Sequence, residues 1–418
     1  MDILRIATAG SVDDGKSTLI GRLLYETKSI TKDKIEALEA ASKRKGLDFT
    51  DLSLLTDGLI AEREQGITID VAHIYFNTPQ RKYIIADTPG HFEYTRNMVT
   101  GASNTSVSII LIDSRNGVSE QTKRHYYISS LLRTENVVVA VNKMDLVDYS
   151  EDRFKEIKES FESTVGKSGF EGQNITFVPL SSLYGDNITT VSEKMSWYKG
   201  EALLPILEKI ENKEARIGAH EVPARLAVQN VIRPKTTEYH DFRGYAGRIA
   251  SGEFQVGDQV IALPSRQISS VKSIIKFEQE LTSAKAGESV VLTLEDDIDI
   301  SRGNMIAKVG QAPEGTKAVK AKVCWMDSTE LTAGKTYFLQ HGVNVQKAKV
   351  VSIDSVLDVE HFEESEDRTD IKLNEIGLVN LKTAGEIFVD KYENVPTNGA
   401  FILIDPMTNN TVGLGFVQ

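Results

Sequence analysis

One stretch near the N-terminus constrains the fold of this chain more than any other. It reads Gly10-Ser11-Val12-Asp13-Asp14-Gly15-Lys16-Ser17. Its glycines let backbone N–H groups curl around phosphate oxygens at a helix N-terminus, where the helix dipole favours negative charge. Residues 3–7 are mostly apolar, and residues 18–25 have an apolar face at helical spacing. The sequence therefore predicts a strand, a phosphate-binding loop and a helix, with Lys16 on the β- and γ-phosphates and the Ser17 hydroxyl on Mg²⁺.

Length and composition restrict the class of protein. With 418 residues the chain is too long for one compact core, so about two or three domains are expected. The formal charge of -12 argues against broad non-specific binding to nucleic acid or to an anionic membrane. Cys324 is the only cysteine, which excludes an internal disulfide and a cysteine-rich zinc site.

The same features predict a cytoplasmic protein that does not enter a membrane. A single cysteine fits a reducing compartment. The N-terminal residues run straight into the first predicted strand, so we expect no signal peptide. The longest apolar runs, such as residues 137–141, are too short to cross a bilayer and have the length of sheet strands.

A polar segment with helical spacing, residues 26–61, separates the phosphate loop from the stretch 62–70. In nucleotide hydrolases with such a loop, a threonine after the first helix can give its hydroxyl to Mg²⁺ and its backbone N–H to the γ-phosphate. The segment that carries this threonine is ordered only while that phosphate is present. Thr68 is the candidate for this metal and catalytic role. The alternative is an ordinary strand residue, because Thr68 follows Gly66 and Ile67.

The β-rich run 83–86 leads directly into a second polar motif, Asp87-Thr88-Pro89-Gly90-His91. A carboxylate at the end of such a strand can hold a Mg²⁺-bound water, which makes Asp87 a metal candidate. Gly90 can bring its backbone N–H to the γ-phosphate because no Cβ stands in the way. His91 follows at once, where its side chain can orient the attacking water. We therefore predict catalytic roles for Gly90 and His91.

The strand predicted at 137–141 ends in a motif that selects a base, Asn142-Lys143-Met144-Asp145. The Asp145 carboxylate can accept hydrogen bonds from guanine N1–H and N2–H₂, which adenine does not offer in that arrangement. An unpaired carboxylate in a dry pocket costs on the order of a few kcal/mol, so the motif favours guanine. Asn142 is expected to bridge loops, and Lys143 to lie across the base. After the next strand, 176–180, the backbone of Ser181-Ser182-Leu183 can meet guanine O6.

These motifs follow one another at the strand ends of an alternating β/α pattern. In a doubly wound sheet the ligand lies at the carboxyl ends of the strands, where such loops converge. The order therefore predicts a GTP-binding and GTP-hydrolysing domain whose nucleotide contacts residues 10–17, 87–91, 142–145 and 181–183.

Between the motifs, a helix after residues 107–112 carries a polar set that we expect on its solvated or partner-facing side. That set is Gln121, Lys123, Arg124 and His125.

The pattern changes beyond about residue 220 to short alternating strands separated by turn signals, which is typical of antiparallel β-barrels. A second all-β block begins near residue 313. We expect a P-loop GTP-binding domain at 1–215 and β-barrel domains at 220–310 and 313–418. The turn signals are Arg243-Gly244, Ser251-Gly252, Val256-Gly257-Asp258, Leu263-Pro264, Arg302-Gly303, Ala333-Gly334, Thr397-Asn398-Gly399 and Asp405-Pro406.

An α/β P-loop GTPase domain followed by two antiparallel β-barrel domains resembles the elongation-factor superfamily, with the three-domain architecture of elongation factor Tu. Within it, the sequence looks like the GTPase subunit of bacterial heteromeric sulfate adenylyltransferase. Ser11 stands where translation factors usually carry histidine, and the helical insert before residues 63–68 is shared with that subunit and with archaeal and eukaryotic elongation factors. The stretches that resemble the subunit are 142–146, 241–247, 292–303 and 404–411.

The resemblance implies that this chain couples GTP hydrolysis to the formation of adenosine 5′-phosphosulfate and pyrophosphate from ATP and sulfate. Adenylyl transfer is then expected in a separate small catalytic subunit, which binds ATP and sulfate and forms a heterodimer or a higher-order assembly with this chain. The implied cofactors are GTP and Mg²⁺. His91 would position water, Lys16 and Mg²⁺ would take up the developing charge, and Asp13 would assist at the phosphate loop.

Two other functions stay open on the residues alone. The first is a translation elongation or release factor that carries tRNA or a protein to the ribosome. Residues 311–418 hold 10 Lys and Arg against 16 Asp and Glu, which is a poor electrostatic surface for RNA. The second is a regulatory GTPase without metabolic chemistry. We expect neither a nucleic acid nor a membrane as a partner.

Overall fold

The chain folds into two compact units, the first of residues 1–212 with 358–363 and the second of residues 213–357 with 364–418. Among the described residues, no helix combines the length and the apolar character needed to cross a membrane. The computed structural model describes residues 2–44, 46, 49–55, 71–88, 95–102, 104–165, 169–211, 222–234, 242–277, 279–358 and 362–418.

The first unit is built on a six-stranded sheet in the order β2-β3-β1-β4-β5-β6. Every neighbouring pair is parallel except β2 with β3, which is antiparallel at the sheet edge. β4 is buried along its whole length, as expected for a parallel strand covered by helices on both faces. The strands are β1 (Ile3–Ala9), β2 (Ala72–Asn77), β3 (Lys82–Asp87), β4 (Val107–Asp113), β5 (Asn136–Asn142) and β6 (Asn174–Pro179).

Helices accompany this sheet, and the first of them packs very closely on the chain that follows. At Gly21 an added Cβ would come within 2.2 Å of the Leu52 carbonyl oxygen, so only glycine permits this contact. The helices of the unit are α1 (Lys16–Glu26), α2 (Lys32–Arg44), α3 (Thr95–Ala102), α4 (Glu120–Leu131), α5 (Glu151–Val165) and α6 (Leu203–Lys209). Single 3₁₀ turns cover Leu52–Leu55, Met144–Val147 and Glu193–Met195.

The parallel register brings the predicted site residues to one edge of the sheet. Thr8 of β1 pairs with Asp87 at the end of β3, and Asp113 at the end of β4 pairs with Asn142 at the end of β5. The carboxyl ends of these strands, and the loops that follow them, therefore share one edge.

The second unit begins with a closed antiparallel barrel. Its strand order is β11-β16-β7-β9-β15-β12, and pairing of β11 with β12 closes the ring. Its core is apolar and includes Tyr245 and Phe254. The strands are β7 (Arg225–Ala227), β8 (Asn230–Ile232), β9 (Gly244–Ser251), β10 (Glu253–Gln255), β11 (Gln259–Leu263), β12 (Gln267–Lys276), β13 (Gln279–Leu281), β14 (Ser283–Lys285), β15 (Ser289–Leu294) and β16 (Met305–Lys308).

A second antiparallel barrel follows, in the order β19-β24-β25-β17-β23-β20, and pairing of β19 with β20 closes it. Trp325 and Tyr337 lie in its core. Its strands are β17 (Gly315–Trp325), β18 (Leu331–Thr332), β19 (Thr336–His341), β20 (Asn344–Asp358), β21 (Glu363–Ser365), β22 (Asp370–Ile371), β23 (Ile376–Phe388), β24 (Ala400–Ile404) and β25 (Thr411–Val417), with a short helix α7 (Pro396–Gly399).

A buried ion pair joins the two barrels. The guanidinium of Arg225, in the first barrel, donates to both carboxylate oxygens of Asp390, in the second, at 2.9 and 3.0 Å. The Asn398 side-chain amide also donates a hydrogen bond to the Asp390 carboxylate, at 2.7 Å. Two charges removed from water need such complete pairing, so this cluster fixes the contact between the barrels.

The predicted architecture of an α/β domain and two antiparallel barrels is confirmed. The domain limits 1–215, 220–310 and 313–418 stay predictions, because both barrels lie in one compact unit. The turn expected at Arg243-Gly244 is wrong. Gly244 is the first residue of strand β9, where an added Cβ would come within 2.5 Å of a Val291 methyl carbon. This glycine therefore allows close strand packing and does not form a turn.

Candidate nucleotide site

The phosphate loop ends at Gly15, which caps helix α1 in a left-handed conformation with φ of 95°. Asp13 also has a positive φ, of 70°. At Gly15 an added Cβ would lie 2.4 Å from the Asn142 side-chain nitrogen. Both the backbone angle and the close approach of Asn142 therefore require glycine at this position. The loop leads into the N-terminus of an 11-residue helix, the arrangement that favours a bound phosphate.

The side chain of Asp14 holds the loop from within. Its Oδ2 accepts a hydrogen bond from the Ser11 backbone N–H at 2.6 Å, and its carbonyl accepts one from the Asn142 amide at 2.7 Å. Burial raises the pKa of the Asp14 carboxyl to about 6, although the Ser11 N–H acts in the opposite direction. The loop is thus fixed by contacts of its own residues and of the end of β5.

Lys16 reaches across to the end of β3. Its ammonium is almost completely buried and donates to the Thr88 carbonyl oxygen at 2.5 Å. Thr88 is held in turn by a hydrogen bond from its hydroxyl to the Thr8 carbonyl at 2.6 Å. Burial lowers the pKa of Lys16, whereas the nearby carboxylates of Asp87 and Asp14 raise it. This contact places the phosphate loop beside the second predicted motif.

The residues predicted to hold magnesium lie on the two segments that this contact joins. Ser17 is in the first turn of α1, and Asp87 is a buried carboxylate at the end of β3. Asp87 Oδ1 accepts a hydrogen bond from the Thr8 hydroxyl at 3.2 Å. Hydroxyl and carboxylate oxygens are the ligands that Mg²⁺ prefers, so the chemistry of these side chains fits that ion.

Asn142 bridges two loops, as its position predicts. Its Nδ2 donates to the Asp14 carbonyl, and its Oδ1 accepts hydrogen bonds from the Ser182 N–H at 3.0 Å and the Ser182 hydroxyl at 2.9 Å. These three hydrogen bonds of the Asn142 side chain are all buried. Asn142 therefore ties the phosphate loop to the segment predicted to meet guanine O6.

Lys143 lies over the phosphate loop as well. Its ammonium donates to the Asp13 carbonyl and forms an ion pair with Asp113 Oδ2 at 2.9 Å. Burial alone would raise the pKa of the Asp113 carboxyl, but hydrogen bonds from Arg115 and Lys143 outweigh burial and lower that pKa to about 2. Asp113 is therefore a permanent anion that holds the Lys143 side chain in place.

Asp145 has a carboxylate oxygen that is ready to accept hydrogen bonds. Its Oδ1 is buried, and none of the described residues donates to it. A buried acceptor without a donor costs on the order of 1–3 kcal/mol, so a native protein seldom keeps one unless a ligand supplies the donor. Guanine N1–H and N2–H₂ are donors of the required kind. The orphaned oxygen thus fits the predicted guanine contact.

The segment Ser181-Ser182-Leu183 is held in a tight turn. The Ser181 N–H donates to the Asp186 carbonyl at 3.2 Å, and the Gly185 N–H donates to the Ser181 carbonyl at 2.8 Å. From helix α1, Arg22 donates to the carbonyls of Ser182 and Leu183. With its carbonyls occupied by Arg22, this turn is fixed to the same helix that follows the phosphate loop.

Two predicted residues have apolar side chains. Met144 is fully buried in the apolar core, and its backbone N–H donates to the Leu180 carbonyl at 3.2 Å. Any contact that Met144 makes with a nucleotide would therefore use backbone atoms. Val12 has a side chain exposed at the loop surface. Four predicted residues lie outside the described residues: Thr68, Pro89, Gly90 and His91.

The structure adds residues that the sequence reasoning missed. Asp113 ends a parallel strand opposite Asn142, so the signal that singled out Asp87 and Asn142 was present for it too. Arg22 carried no such signal, because its role depends on the fold that brings α1 to residues 182–183.

The expectation that His125 lies on a solvated face of its helix is wrong. The side chain is buried, and its Nε2 lies 2.9 Å from the Gln121 amide nitrogen. Burial, followed by the charges of Lys16 and Arg124, lowers the pKa of His125 to about 3. The imidazole is therefore neutral and belongs to the interior beside the phosphate loop, because α4 turns this residue toward the sheet.

Comparison with known proteins identifies the family of this chain. Residues 1–212 match the family model for the elongation factor Tu GTP binding domain, and residues 318–418 match the GTP-eEF1A C-terminal domain-like model. The sulfate adenylyltransferase subunit 1 of Colwellia psychrerythraea is 48% identical, with coverage of 100% of this chain and 88% of that protein. The same subunit of Bacteroides fragilis is also 48% identical, with coverage of 100% and 86%.

A longer relative also matches almost the whole of this chain. The bifunctional enzyme CysN/CysC of Mycobacterium tuberculosis is 46% identical over 99% of this chain and 67% of its own length. Identity of this extent over the whole chain, together with the domain match, shows the family. The chain belongs to the sulfate adenylyltransferase subunit 1 family, GTPases whose first domain is the GTP-binding domain of the elongation factor Tu type.

Proposed function

We propose that this chain binds and hydrolyses GTP and couples the hydrolysis to the formation of adenosine 5′-phosphosulfate and pyrophosphate from ATP and sulfate. The observation that supports it most is the orphaned Asp145 oxygen, which lies in a set of loops tied together by Asn142. A buried carboxylate without a donor selects guanine over adenine, because only guanine offers two adjacent N–H donors to it. The cytoplasm is the compartment that we propose for this reaction.

Phosphate binding is assigned to residues 10–17. The N–H groups of this loop and the N-terminus of α1 bind the phosphate oxygens, and Lys16 neutralises negative charge between them. In the structure the Lys16 ammonium donates to the Thr88 carbonyl. A phosphate oxygen is a stronger acceptor than a neutral carbonyl, so Lys16 exchanges this partner when a nucleotide binds.

Mg²⁺ supplies further charge neutralisation on the phosphates when it is bound. Ser17 and Asp87 are the described residues that would hold it, and Thr68 is the third that we propose. Gly90 and His91 are proposed to act on the γ-phosphate and on the attacking water, and Asp13 to assist at the loop. These roles rest on the sequence motifs alone. Water attacks the γ-phosphorus, the bond to the β–γ bridging oxygen breaks, and phosphate and GDP leave.

The coupling requires a partner. The relatives are named as subunit 1 of an enzyme, and we propose that a separate small subunit binds ATP and sulfate and carries out the adenylyl transfer. Contacts with the γ-phosphate, for which we propose Thr68, are made before hydrolysis and are lost after it. The surface that this chain presents to the partner therefore differs between the GTP and GDP states, and the partner binds the two states with different affinity. This difference in affinity couples the free energy of hydrolysis to the partner.

The test is GTP hydrolysis by the purified chain with the cognate small subunit, ATP and sulfate. We expect stimulation of about tenfold or more over the chain alone, within the usual range of coupling free energies. Lys16→Met should abolish the stimulated rate, whereas Lys199→Met, an exposed lysine far along the chain, should leave it unchanged. No stimulation by the small subunit, or stimulation by ribosomes alone, would contradict the proposal.

A further inference from the structure

An open cleft of about 500 Å³ lies in the second barrel, between the chain near Trp325 and the C-terminal turn 404–411. That turn is one of the stretches that resemble the sulfate adenylyltransferase subunit, and the nucleotide site makes no use of it. The cleft has an aromatic and aliphatic floor formed by Trp325, Tyr337 and Val412. The rings of Trp325 and Tyr337 meet edge to face, with centroids 5.4 Å apart.

Two aspartates on the rim each keep one free carboxylate oxygen. Asp405 Oδ1 accepts hydrogen bonds from the N–H groups of Met407 and Thr408, both at 2.8 Å, and Asp327 Oδ1 accepts one from the Thr329 N–H at 2.7 Å. The Oδ2 atom of neither aspartate has a hydrogen bond or an ion pair with any described residue. Both turns thus hold one oxygen in place and leave the other available.

The floor contributes an unpartnered hydroxyl. Tyr337 is only 6% exposed, and within the described parts of the chain its hydroxyl makes no hydrogen bond. Burial, and then the charges of Asp405 and Asp327, raise the pKa of Tyr337 to about 12. The hydroxyl therefore stays neutral and lies within the electrostatic reach of both carboxylates. A ligand that donates several hydrogen bonds would satisfy all three groups at once.

Among the described residues that line the cleft, the cation is Lys335, and it is bound elsewhere. The Lys335 ammonium donates to the Glu330 carbonyl at 2.7 Å and forms no ion pair with either rim aspartate. The barrel as a whole is acidic, with 10 Lys and Arg against 16 Asp and Glu in residues 311–418. The electrostatic potential of the cleft thus favours a cation from outside the chain.

We infer that this cleft is a docking site for an arginine side chain of the small catalytic subunit. A guanidinium offers five N–H donors in a planar fork, so it can donate to several acceptors at once, here the free aspartate oxygens and the tyrosine hydroxyl. Lysine offers a point charge without the planar fork, which suits two separated carboxylates less well. Met407 on the rim is 88% exposed, and such a flexible apolar side chain is typical of a protein contact surface.

The inference rests on the proposed function, because it takes the small subunit as the partner. Conservative substitutions can test it without disturbing the fold. Asp327→Asn and Asp405→Asn keep the Oδ1 acceptor of each turn and change only the free oxygen, and Tyr337→Phe removes only the hydroxyl. Asp367→Asn is the matched control, because Asp367 is an exposed acid in the same barrel, outside the cleft.

The experiment measures the affinity of the purified small subunit for each full-length variant by calorimetry or sedimentation. We expect a loss of about tenfold for each aspartate variant, about hundredfold for the double variant and about fivefold for Tyr337→Phe. Asp367→Asn should bind as the wild type does. The intrinsic GTP hydrolysis and thermal midpoint of every variant should stay unchanged, which shows that the fold is intact.

The possible outcomes separate the two proposals. If the wild type binds the small subunit and the cleft variants bind equally well, the inference is overturned and the proposed function stands. If the wild type does not bind the small subunit at all, the proposed function fails and the inference fails with it. If the control loses as much affinity as the cleft variants, general charge accounts for the binding and the cleft site is again overturned.

Discussion

At the scale of single residues, the base specificity depends on Asp145. Its buried Oδ1 lacks a donor among the described residues, and it lies in the motif predicted to bind the base. We predict that Asp145→Asn weakens GTP binding by about 10²-fold or more, because an amide N–H₂ then faces the guanine donors. The same variant should bind xanthosine triphosphate better than the wild type, since xanthine carries an acceptor where guanine carries its amino group.

Titration of both nucleotides into both proteins measures this. Equal losses for the two nucleotides would show that the substitution merely damages the fold. Unchanged GTP affinity would show that the base lies elsewhere.

His125 gives a prediction about stability and pH. Its pKa is about 3 in the folded protein against 6.5 for an ordinary histidine, so the unfolded chain binds a proton below pH 6.5 that the folded chain does not. Stability is therefore lost as the pH falls from 6.5 toward 3. Between pH 7 and pH 5 we expect this histidine to cost about 2 kcal/mol of unfolding free energy.

The check is denaturant unfolding of the wild type and His125→Asn at both pH values. The variant should lose less stability on acidification by about that amount. Parallel losses in the two proteins would show that His125 is solvated and titrates normally.

At the scale of elements, the turn from the phosphate loop into α1 depends on one glycine. Gly15→Ala would place a Cβ 2.4 Å from the Asn142 amide at a φ of 95°. We expect GTP binding to be lost, because the displaced Asn142 side chain must give up its hydrogen bonds with both Asp14 and Ser182. Gly257→Ala is the matched control, since Gly257 has a similar φ of 90° but an added Cβ there meets no atom within 4 Å.

Both variants should lose about 1 kcal/mol of stability from backbone strain. Only Gly15→Ala should also lose nucleotide affinity. GTP titration and chemical unfolding of the two proteins separate the effect of backbone strain from that of the clash with Asn142. Retention of GTP binding by Gly15→Ala would contradict the described loop.

The junction of the two barrels gives a second prediction at this scale. Arg225 is 2% exposed and pairs with both oxygens of Asp390. Arg225→Ala leaves a buried carboxylate without its partner, so we expect a loss of about 3–5 kcal/mol in the unfolding of the second unit. Arg368→Ala removes a more exposed pair with Glu375 and should cost less than about 1 kcal/mol. Equal effects in calorimetry would show that the junction is solvated.

At the scale of the whole molecule, the sequence predicted the architecture because its signals are local. The phosphate loop, the residues after β3 and β5, and the alternating strands of the barrels each carry their pattern within a few residues. The edge strand Ala72–Asn77 also carried a local signal, because Ala72, Ile74 and Phe76 alternate with exposed residues, but this signal was missed. The pairs Arg22 with residues 182–183 and Arg225 with Asp390 join positions far apart in the chain. Such contacts follow from the fold and cannot be identified before it is known.

We propose that a terminal phosphate bound near Lys16 decides the affinity of this chain for its partner. The most direct measurement is the dissociation constant of the complex with the small subunit, once with a non-hydrolysable GTP analogue and once with GDP. We predict that the two constants differ by about tenfold or more, and that the small subunit changes the affinities for the two nucleotides by the same factor, as linkage requires. Equal constants for the two nucleotides would contradict the account.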